Sequence, residues 1–345
     1  MTKKLLLVGT NSIHTFNYLR LIEGYFDDIF VITDADSPEI RNYKHCIVNF
    51  SIKNPFIAIQ SIQKIKKSIA SFSPTIIHVH QVGTTALFSI LANKKNQPLV
   101  LTAWGSDVLH TPYKNSLYYQ LARYCLKKAD YITADAAFMG EKIREITKDE
   151  NINICIANFG VEIEEAENIE KENIIYSNRL HKNFYRIDKI ITAFSHFVQK
   201  KKDWKLLIAG SGEETENLKK QVTELGIEKN VQFMGWLDKD QNRKIYQKSK
   251  FFVSVPISDG TAISLLEAMG YGCIPIVINL PSNLEWVKNE KNGVVVNDID
   301  SHFFDNIFKV DFNKASSLNK KIIREKGTKE VNRQLFLEIY HKLMK

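Results

Sequence analysis

The sequence predicts an α/β protein made of two units, each a parallel sheet covered by helices on both faces, and three observations lead there. Short apolar runs alternate with helical stretches from Lys4 onward, a βα alternation. The alternation stops at an acidic stretch, VEIEEAENIEKEN at 161–173, which has almost no large apolar residues and reads as a linker or surface excursion; it then restarts. The length, 345 residues, sets a prior of two domains, each able to bury a core.

In chain order the first series reads as the strand LLLVGT, a helix from about residue 13, the strand IFVIT, a helix over 55–72, the strand TIIHVH, a helix over 84–94, the strand LVLTAW, a helix over 117–128 and the strand YITAD. The second reads as NIIYSN, a helix over 187–200, WKLLIAG, a helix over 214–225, VQFMG, a helix over 239–248, a buried strand at 251–256, a turn at 258–261, a helix over 262–271 and a strand over 274–278. Gly272 and Cys273 close the penultimate helix. Two Rossmann-like units facing across a cleft follow, with ligands at the carboxyl ends of the strands.

Composition narrows the class. Hydrophobic content of 44% and charged content of 25% are ordinary for a globular chain. No run of 18 apolar residues occurs, and MTKKLLLVGTN reads as a first strand rather than a secretion signal, so a cytoplasmic location is expected. The four cysteines are scattered without a close pair, which indicates neither a zinc site nor a disulfide framework. A net charge of +8 favours an anionic partner. Nucleic acid is not expected, because no recognition module accompanies the charge.

The most informative stretch is FFVSVPISDGTAISLLEAMGYGCIPIV at 251–277, which sets Asp259 and Glu267 eight positions apart across a strand-to-helix junction. At the helical rise the carboxylates stand about 10 Å apart along the axis, within reach of one long ligand. The free N–H groups opening the helix suit a phosphate. This segment resembles the acid pair of GT-B retaining glycosyltransferases, family 4 (glycosyl transferases group 1). The resemblance covers most of the chain and is closest in the second half. It implies domains at 1–162 and 170–325, the first on the acceptor side, and a segment 326–345 whose helical run, 331–344, crosses back to the first domain.

The same resemblance implies site roles. Glu267 would hold the ribose hydroxyls of a nucleotide sugar and Asp259 the hydroxyls of the transferred sugar, with the diphosphate on the N–H groups of Gly260, Thr261, Ala262 and Ile263. Arg179, just past a strand, would neutralise the diphosphate. The family's lysine after it is missing here; Phe184 and Tyr185 occupy its places, leaving Lys182 and Arg186 as substitutes. Gly210, Ser211 and Gly212 resemble the family's glycine turn near the donor, and the backbone at Phe233 and Met234 the strand that reads the base.

In the first half, Gly9 and Thr10 lead from strand to helix, where a glycine lets the backbone approach a ligand, and His14 follows in the first helical turn. His78 and His80 are expected to point to opposite faces of their strand, which would stop them sharing an ion; His80 is weighed as a cleft residue against a satisfied buried histidine. LTAWGSDVL resembles the family's Thr-x-His-Gly-x-Asp element, with Trp104 in place of the histidine and Asp107 retained to orient an acceptor hydroxyl or cap the next turn. Asp259 is one methylene shorter than the family's glutamate.

The resemblance implies transfer of a sugar, with retention, from a nucleoside diphosphate sugar to a hydroxyl of a glycan or glycolipid, as in bacterial surface polysaccharide or glycoconjugate synthesis. No metal and no cofactor are expected, since no Asp-x-Asp pair stands in a suitable loop. The rival readings are a nucleotide-sugar epimerase of the same architecture and a catalytically inactive sugar-nucleotide-binding protein. The helix at 55–72 carries Ile59, Ile62, Ile65, Ile69 and Phe72 along one stripe, with Lys53, Lys64 and Lys67 elsewhere. It either packs on a sheet or lies on an anionic membrane, which would put the enzyme at the inner face of the cytoplasmic membrane.

Overall fold

The computed structural model describes residues 2–164 and 169–345, and its contacts divide the chain into two units: 1–159 with 329–345, and 160–328. The first unit is built on strands β1 (Lys4–Val8), β2 (Asp28–Thr33), β3 (Lys44–Ile47), β4 (Ile76–His80), β5 (Leu99–Thr102), β6 (Tyr131–Ala134) and β7 (Ile154–Ile156), in the order β3-β2-β1-β4-β5-β6-β7. The second holds β8 (Glu172–Ser177), β9 (Lys205–Ala209), β10 (Val231–Gly235), β11 (Ser249–Ser254), β12 (Ile274–Ile278) and β13 (Val294–Val296), in the order β10-β9-β8-β11-β12-β13. All strand pairs among the described residues are parallel. Both sheets therefore reverse direction once, between β1 and β4 and between β8 and β11. Ligands of doubly wound sheets bind at such reversals, outside the carboxyl ends of the strands.

Alternation along each strand feeds two helix layers. In the first unit Leu6, Val8, Ile77, Val79 and Leu101 pack with helices Pro55–Phe72, Thr84–Ala92, Ser116–Lys128 and Ala137–Thr147. Leu5, Leu7, Ile76 and Val100 face the other way, onto helices Ile13–Leu21 and Lys329–Leu343. The last helix contributes Phe336, Ile339 and Tyr340 to that layer. Tyr340 also enters a buried polar cluster: its hydroxyl lies 2.5 Å from His78 Nδ1, Tyr18 lies 2.8 Å from the same nitrogen, and Thr102 Oγ1 lies 2.6 Å from His78 Nε2. Burial holds His78 well below its ordinary pKa, so the ring is neutral.

Three expectations need correction. His78 and His80 do not point to opposite faces: residues two apart on a strand share a face, and their rings lie 4.8 Å apart. The Ile59–Phe72 stripe is not one surface. Ile65, Ile69 and Phe72 are buried on the sheet, whereas Ile59 is exposed at the helix N-terminal end. The acidic stretch at 161–173 is not wholly a linker, since Val161 bridges Thr328 and β8 begins at Glu172; residues 165–168 of that expectation lie outside the described residues.

Candidate active site

In the second unit the reversal point gathers the charged residues. Arg179 stands two residues past β8, and Asp259 lies in the loop after β11, the strand beside it. Arg179 Nη2 is 2.6 Å from Asp259 Oδ2, and Nη1 donates to Ser264 Oγ at 3.0 Å. The guanidinium also lies over the Tyr185 ring, 4.5 Å from its centroid. Arg179 is thereby held by three elements in one orientation. The arginine and aspartate side chains are only 12% and 22% exposed. Burial raises the Asp259 pKa above the ordinary carboxylate range, while the Arg179 charge and the Gly260 N–H pull it down.

Helix Ile263–Gly270 starts directly after this loop, with Ala262 at its N-cap position and no side-chain cap on it. The helix sends its buried side, Leu265, Leu266 and Met269, into the core and turns Glu267 toward helix Lys239–Lys248. The Tyr246 hydroxyl reaches Glu267 Oε2 at 3.2 Å and accepts from Asn178 Nδ2 at 2.7 Å. Burial raises the Glu267 pKa, with the Tyr246 hydrogen bond and the Lys239 charge opposing. Both acids of the signature are thus part-buried carboxylates, Asp259 held by Arg179 and the Gly260 N–H and Glu267 by Tyr246.

The two candidate bases differ. Arg186 sits in the left-handed region (φ 53°) and turns onto the loop after β11, donating from Nε to Val255 O at 2.6 Å and from Nη2 to Pro256 O at 2.8 Å. It fixes the strand exit that leads to Asp259. Lys182 is exposed at the start of a short turn. Gly210 has φ +106°, and a Cβ there would lie 2.7 Å from Arg179 O; one at Gly212 would lie 2.4 Å from His181 O. The glycine turn is therefore a backbone contact that seats residues 179–181. Phe233 and Met234 are half-buried at the end of β10, and Gly235 O accepts from Gly210 N at 2.8 Å.

The first unit has a different group at its own reversal point. Gly9 follows β1, and a Cβ there would lie 2.9 Å from Thr15 Oγ1 and 3.2 Å from the His80 Cβ. Thr10 O accepts from Thr15 Oγ1 at 2.8 Å. His14 is exposed, yet its ring lies 4.8 Å from Trp104, and partial covering lowers its pKa. His80 also stands against Trp104, 5.5 Å away and edge-on. His80 is fully buried with both ring nitrogens unpartnered among the described residues, and the Trp104 Nε1–H is unpartnered too. Buried polar atoms nearly always have partners, so this group has room for a ligand's or water's hydrogen bonds. Burial, then the His14 charge, lowers the His80 pKa to about 3.

Asp107 joins two loops. Its carboxylate accepts the Val82 N–H at 2.8 Å and the Trp104 N–H at 3.0 Å. Burial pushes its pKa up to about 6 against four backbone N–H groups that lower it. It holds Trp104 in place. Sequence reading did not single out Ser264, Tyr246, Asn178 or Tyr185 as partners of the named acids and arginine. Asn178 and Tyr185 flank Arg179 in sequence, but Tyr246 comes from a separate helix with no motif of its own.

A two-sheet α/β architecture with an Arg–Asp pair and an uncapped helix at the second reversal point defines a GT-B type protein. Comparison with known proteins agrees: residues 162–306 match the family described as glycosyl transferases group 1, and residues 3–136 the family described as glycosyl transferase 4-like. The chain belongs to the GT-B group 1 glycosyltransferases. Among curated relatives, GDP-mannose:cellobiosyl-diphosphopolyprenol alpha-mannosyltransferase of Xanthomonas oryzae is 25% identical over 238 residues, which are 65% of this chain and 61% of that protein. The chain thus matches somewhat less than two thirds of that relative's length. In fold it is similar to a glycosyltransferase from Rickettsia africae (TM-score 0.82, 17% identity, 100% and 99% of the two chains). It is also similar to Anabaena HepE solved with UDP (TM-score 0.79, 14% identity, 99% and 100%).

Proposed function

We propose that the protein transfers a sugar, with retention and without a metal, from a nucleoside diphosphate sugar to a hydroxyl of a lipid-linked or glycan acceptor. The observation that carries this is the Arg179–Asp259–Ser264 group beside the uncapped N-terminus of helix Ile263–Gly270. A diphosphate placed there meets a guanidinium held in one orientation and the N–H groups of Gly260 to Ile263, a preorganised positive site in a part-buried setting. Support for a nucleotide donor comes from the Xanthomonas relative, named for GDP-mannose, and from HepE, solved with UDP. These differ in base, so the base is not assigned.

In this reading the bond between the anomeric carbon and the diphosphate oxygen breaks and its electron pair stays on the diphosphate. The acceptor oxygen attacks from the same face, and its proton passes to the departing phosphate. Arg179 and the helix N–H groups stabilise the charge that builds on the leaving group. Asp259 accepts from sugar hydroxyls and Glu267 from the ribose. Since Arg179 is paired with Asp259 in the free protein, an arriving diphosphate competes with that carboxylate and frees an Asp259 oxygen for the sugar.

A thermal-shift screen of UDP, GDP and their sugars tests the donor reading, since a ligand that binds only the folded chain raises its apparent stability. Stabilisation by a nucleoside diphosphate in the native chain and its loss in Arg179→Ala is the expected result. An equal shift in both would put the nucleotide elsewhere. Incubation with the nucleotide sugar alone separates an epimerase, which would produce a new nucleotide sugar, from a transferase, which gives only slow hydrolysis.

A further inference from the structure

We infer that Tyr185 is a positioning residue of the donor site: its ring face holds the Arg179 guanidinium in the orientation that meets a diphosphate once Asp259 has let go of it. The inference rests on the reading of Arg179 as the diphosphate's partner, and it assigns that site a side chain with no charge of its own. Among the described residues Arg179 is the cation paired with Asp259. The other bases of its segment are placed differently: the Arg186 guanidinium is bound to the Val255 and Pro256 carbonyls, and Lys182 is exposed at the start of its turn. A single guanidinium therefore faces the Asp259 loop, and its orientation decides how well a diphosphate is met.

The ring is fixed before any ligand arrives. Tyr185 closes a short turn, Asn183–Tyr185, and its N–H donates to Lys182 O at 2.9 Å. Three hydrogen bonds stitch this segment to the loop after β11 that carries Asp259: Ile257 N–H donates to Phe184 O at 3.0 Å, and Arg186 donates to Val255 O and Pro256 O. The Tyr185 side chain is half-buried against the core that contains Ile187 and Val255, and the Phe184 ring meets it at a near-right angle, 5.3 Å away.

Over this fixed ring the Arg179 guanidinium carbon lies 4.5 Å from the centroid, inside the range of about 6 Å in which an aromatic face attracts a cation. A guanidinium is planar and its N–H donors point outward in that plane, so a ring that attracts the cation as a whole takes up none of them. Nη2 and Nη1 are left to reach Asp259 at 2.6 Å and Ser264 at 3.0 Å. The three partners of Arg179 thus differ in kind: a carboxylate, a neutral hydroxyl and an aromatic face.

That difference matters when a diphosphate arrives. It competes with Asp259 for Nη2, and the ion pair that orients Arg179 in the free chain is lost. Ser264 by itself offers one neutral hydrogen bond to a long side chain with many rotamers, whose ordering on binding costs affinity. A ring that stays in place through the exchange removes much of that cost. A second carboxylate in the place of Tyr185 would also orient the arginine, but it would cancel the charge that the diphosphate needs. An aromatic face orients the cation and leaves its charge intact.

The test is isothermal titration of the full chain with UDP and with GDP. Tyr185→Phe keeps the ring and should bind within about twofold of the native chain, whereas Tyr185→Leu, apolar but without a ring face, should bind about tenfold more weakly. Replacing Tyr185 by phenylalanine with one, two and three ring fluorines should weaken binding stepwise, because fluorine withdraws electron density from the ring face while the ring keeps its shape and packing. A ring with a merely structural role would give no such gradient, and the series decides if Tyr185→Leu fails to fold. The inference is overturned by a flat fluorine series, or by a folded Tyr185→Leu chain that binds as the native one does. If the native chain binds neither nucleotide, or binds equally well with Arg179→Ala, the donor reading falls and this inference with it. A flat series in a chain whose binding Arg179→Ala removes strikes this inference alone.

Discussion

The two units share the order of six strands, to which the first adds β7, and one reversal of that order, yet they furnish that point in opposite ways. The second places a cation and two carboxylates there: Arg179 bound to Asp259 and Ser264, and Glu267 under Tyr246. The first places rings: His14 against Trp104 and Trp104 against His80, with the Asp107 carboxylate taken up by backbone N–H groups. The same scaffold thus offers a site for a doubly charged leaving group and a site for neutral, hydroxyl-bearing surfaces. The difference teaches that the fold supplies a place, while a few side chains at strand exits decide its chemistry.

If that contrast is right, the largest effect belongs to Arg179. Arg179→Ala should lower transfer by about 10²–10³-fold and abolish stabilisation by nucleoside diphosphate, while Trp104→Ala keeps that stabilisation. A variant pair behaving the other way round, measured by thermal shift and product formation, would break the comparison.

Next comes Gly210→Ala, where the new methyl would meet the Arg179 carbonyl in a backbone conformation that favours glycine. We expect a loss of about 3 kcal/mol in denaturant melts, because strain and overpacking combine. A change within experimental error would mean that the turn does not seat Arg179.

Asp259→Asn sharpens the account within the second unit. The amide no longer neutralises Arg179, so free nucleoside diphosphate should bind at least as tightly as to the native chain, while transfer of the sugar falls about tenfold or more. Isothermal titration and turnover would separate these, and parallel losses in both would contradict the competition for Arg179.

The smallest effect near neutral pH is a pH dependence in the first unit, which grows only on acidification. His80 titrates at about 3 in the folded chain against an ordinary 6.5, so its contribution is complete above pH 6.5 and is lost as the pH falls toward 3. Stability should decline by up to about 1.4 kcal/mol per pH unit in that window for this residue. His80→Phe should flatten the acid limb of the melting curve, an effect read by melts at stepped pH.

Much of the architecture could be read from the chain. Helices at 55–72, 187–200 and 239–248 are where the pattern put them, with the bounds that their unbroken helical spacing gave. The short edge strands β3 and β7, with four and three residues, were passed over, as was the helix Ala137–Thr147; segments so brief carry little periodicity. At the site, the Arg179–Asp259 pairing joins two motifs quoted separately in sequence, and the Glu267 helix follows the predicted turn. Arg186 was one of two substitutes, with Lys182, for the family's missing lysine; the seating of its guanidinium on the Val255 and Pro256 carbonyls is something no spacing rule shows. His80 was weighed with the wrong strand geometry, and its empty ring nitrogens are visible only once Trp104 and Tyr18 are packed around it.

The central claim is that a nucleoside diphosphate sits on the second unit between Arg179 and the start of helix Ile263–Gly270. A crystal structure with a bound nucleoside diphosphate sugar tests it most directly. The account predicts phosphate oxygens within hydrogen-bonding distance of the Arg179 guanidinium and the 260–263 N–H groups, with Glu267 on the ribose. A nucleotide seated on the first unit's His14–Trp104–His80 group, with the Arg179–Asp259 pair untouched, would contradict it.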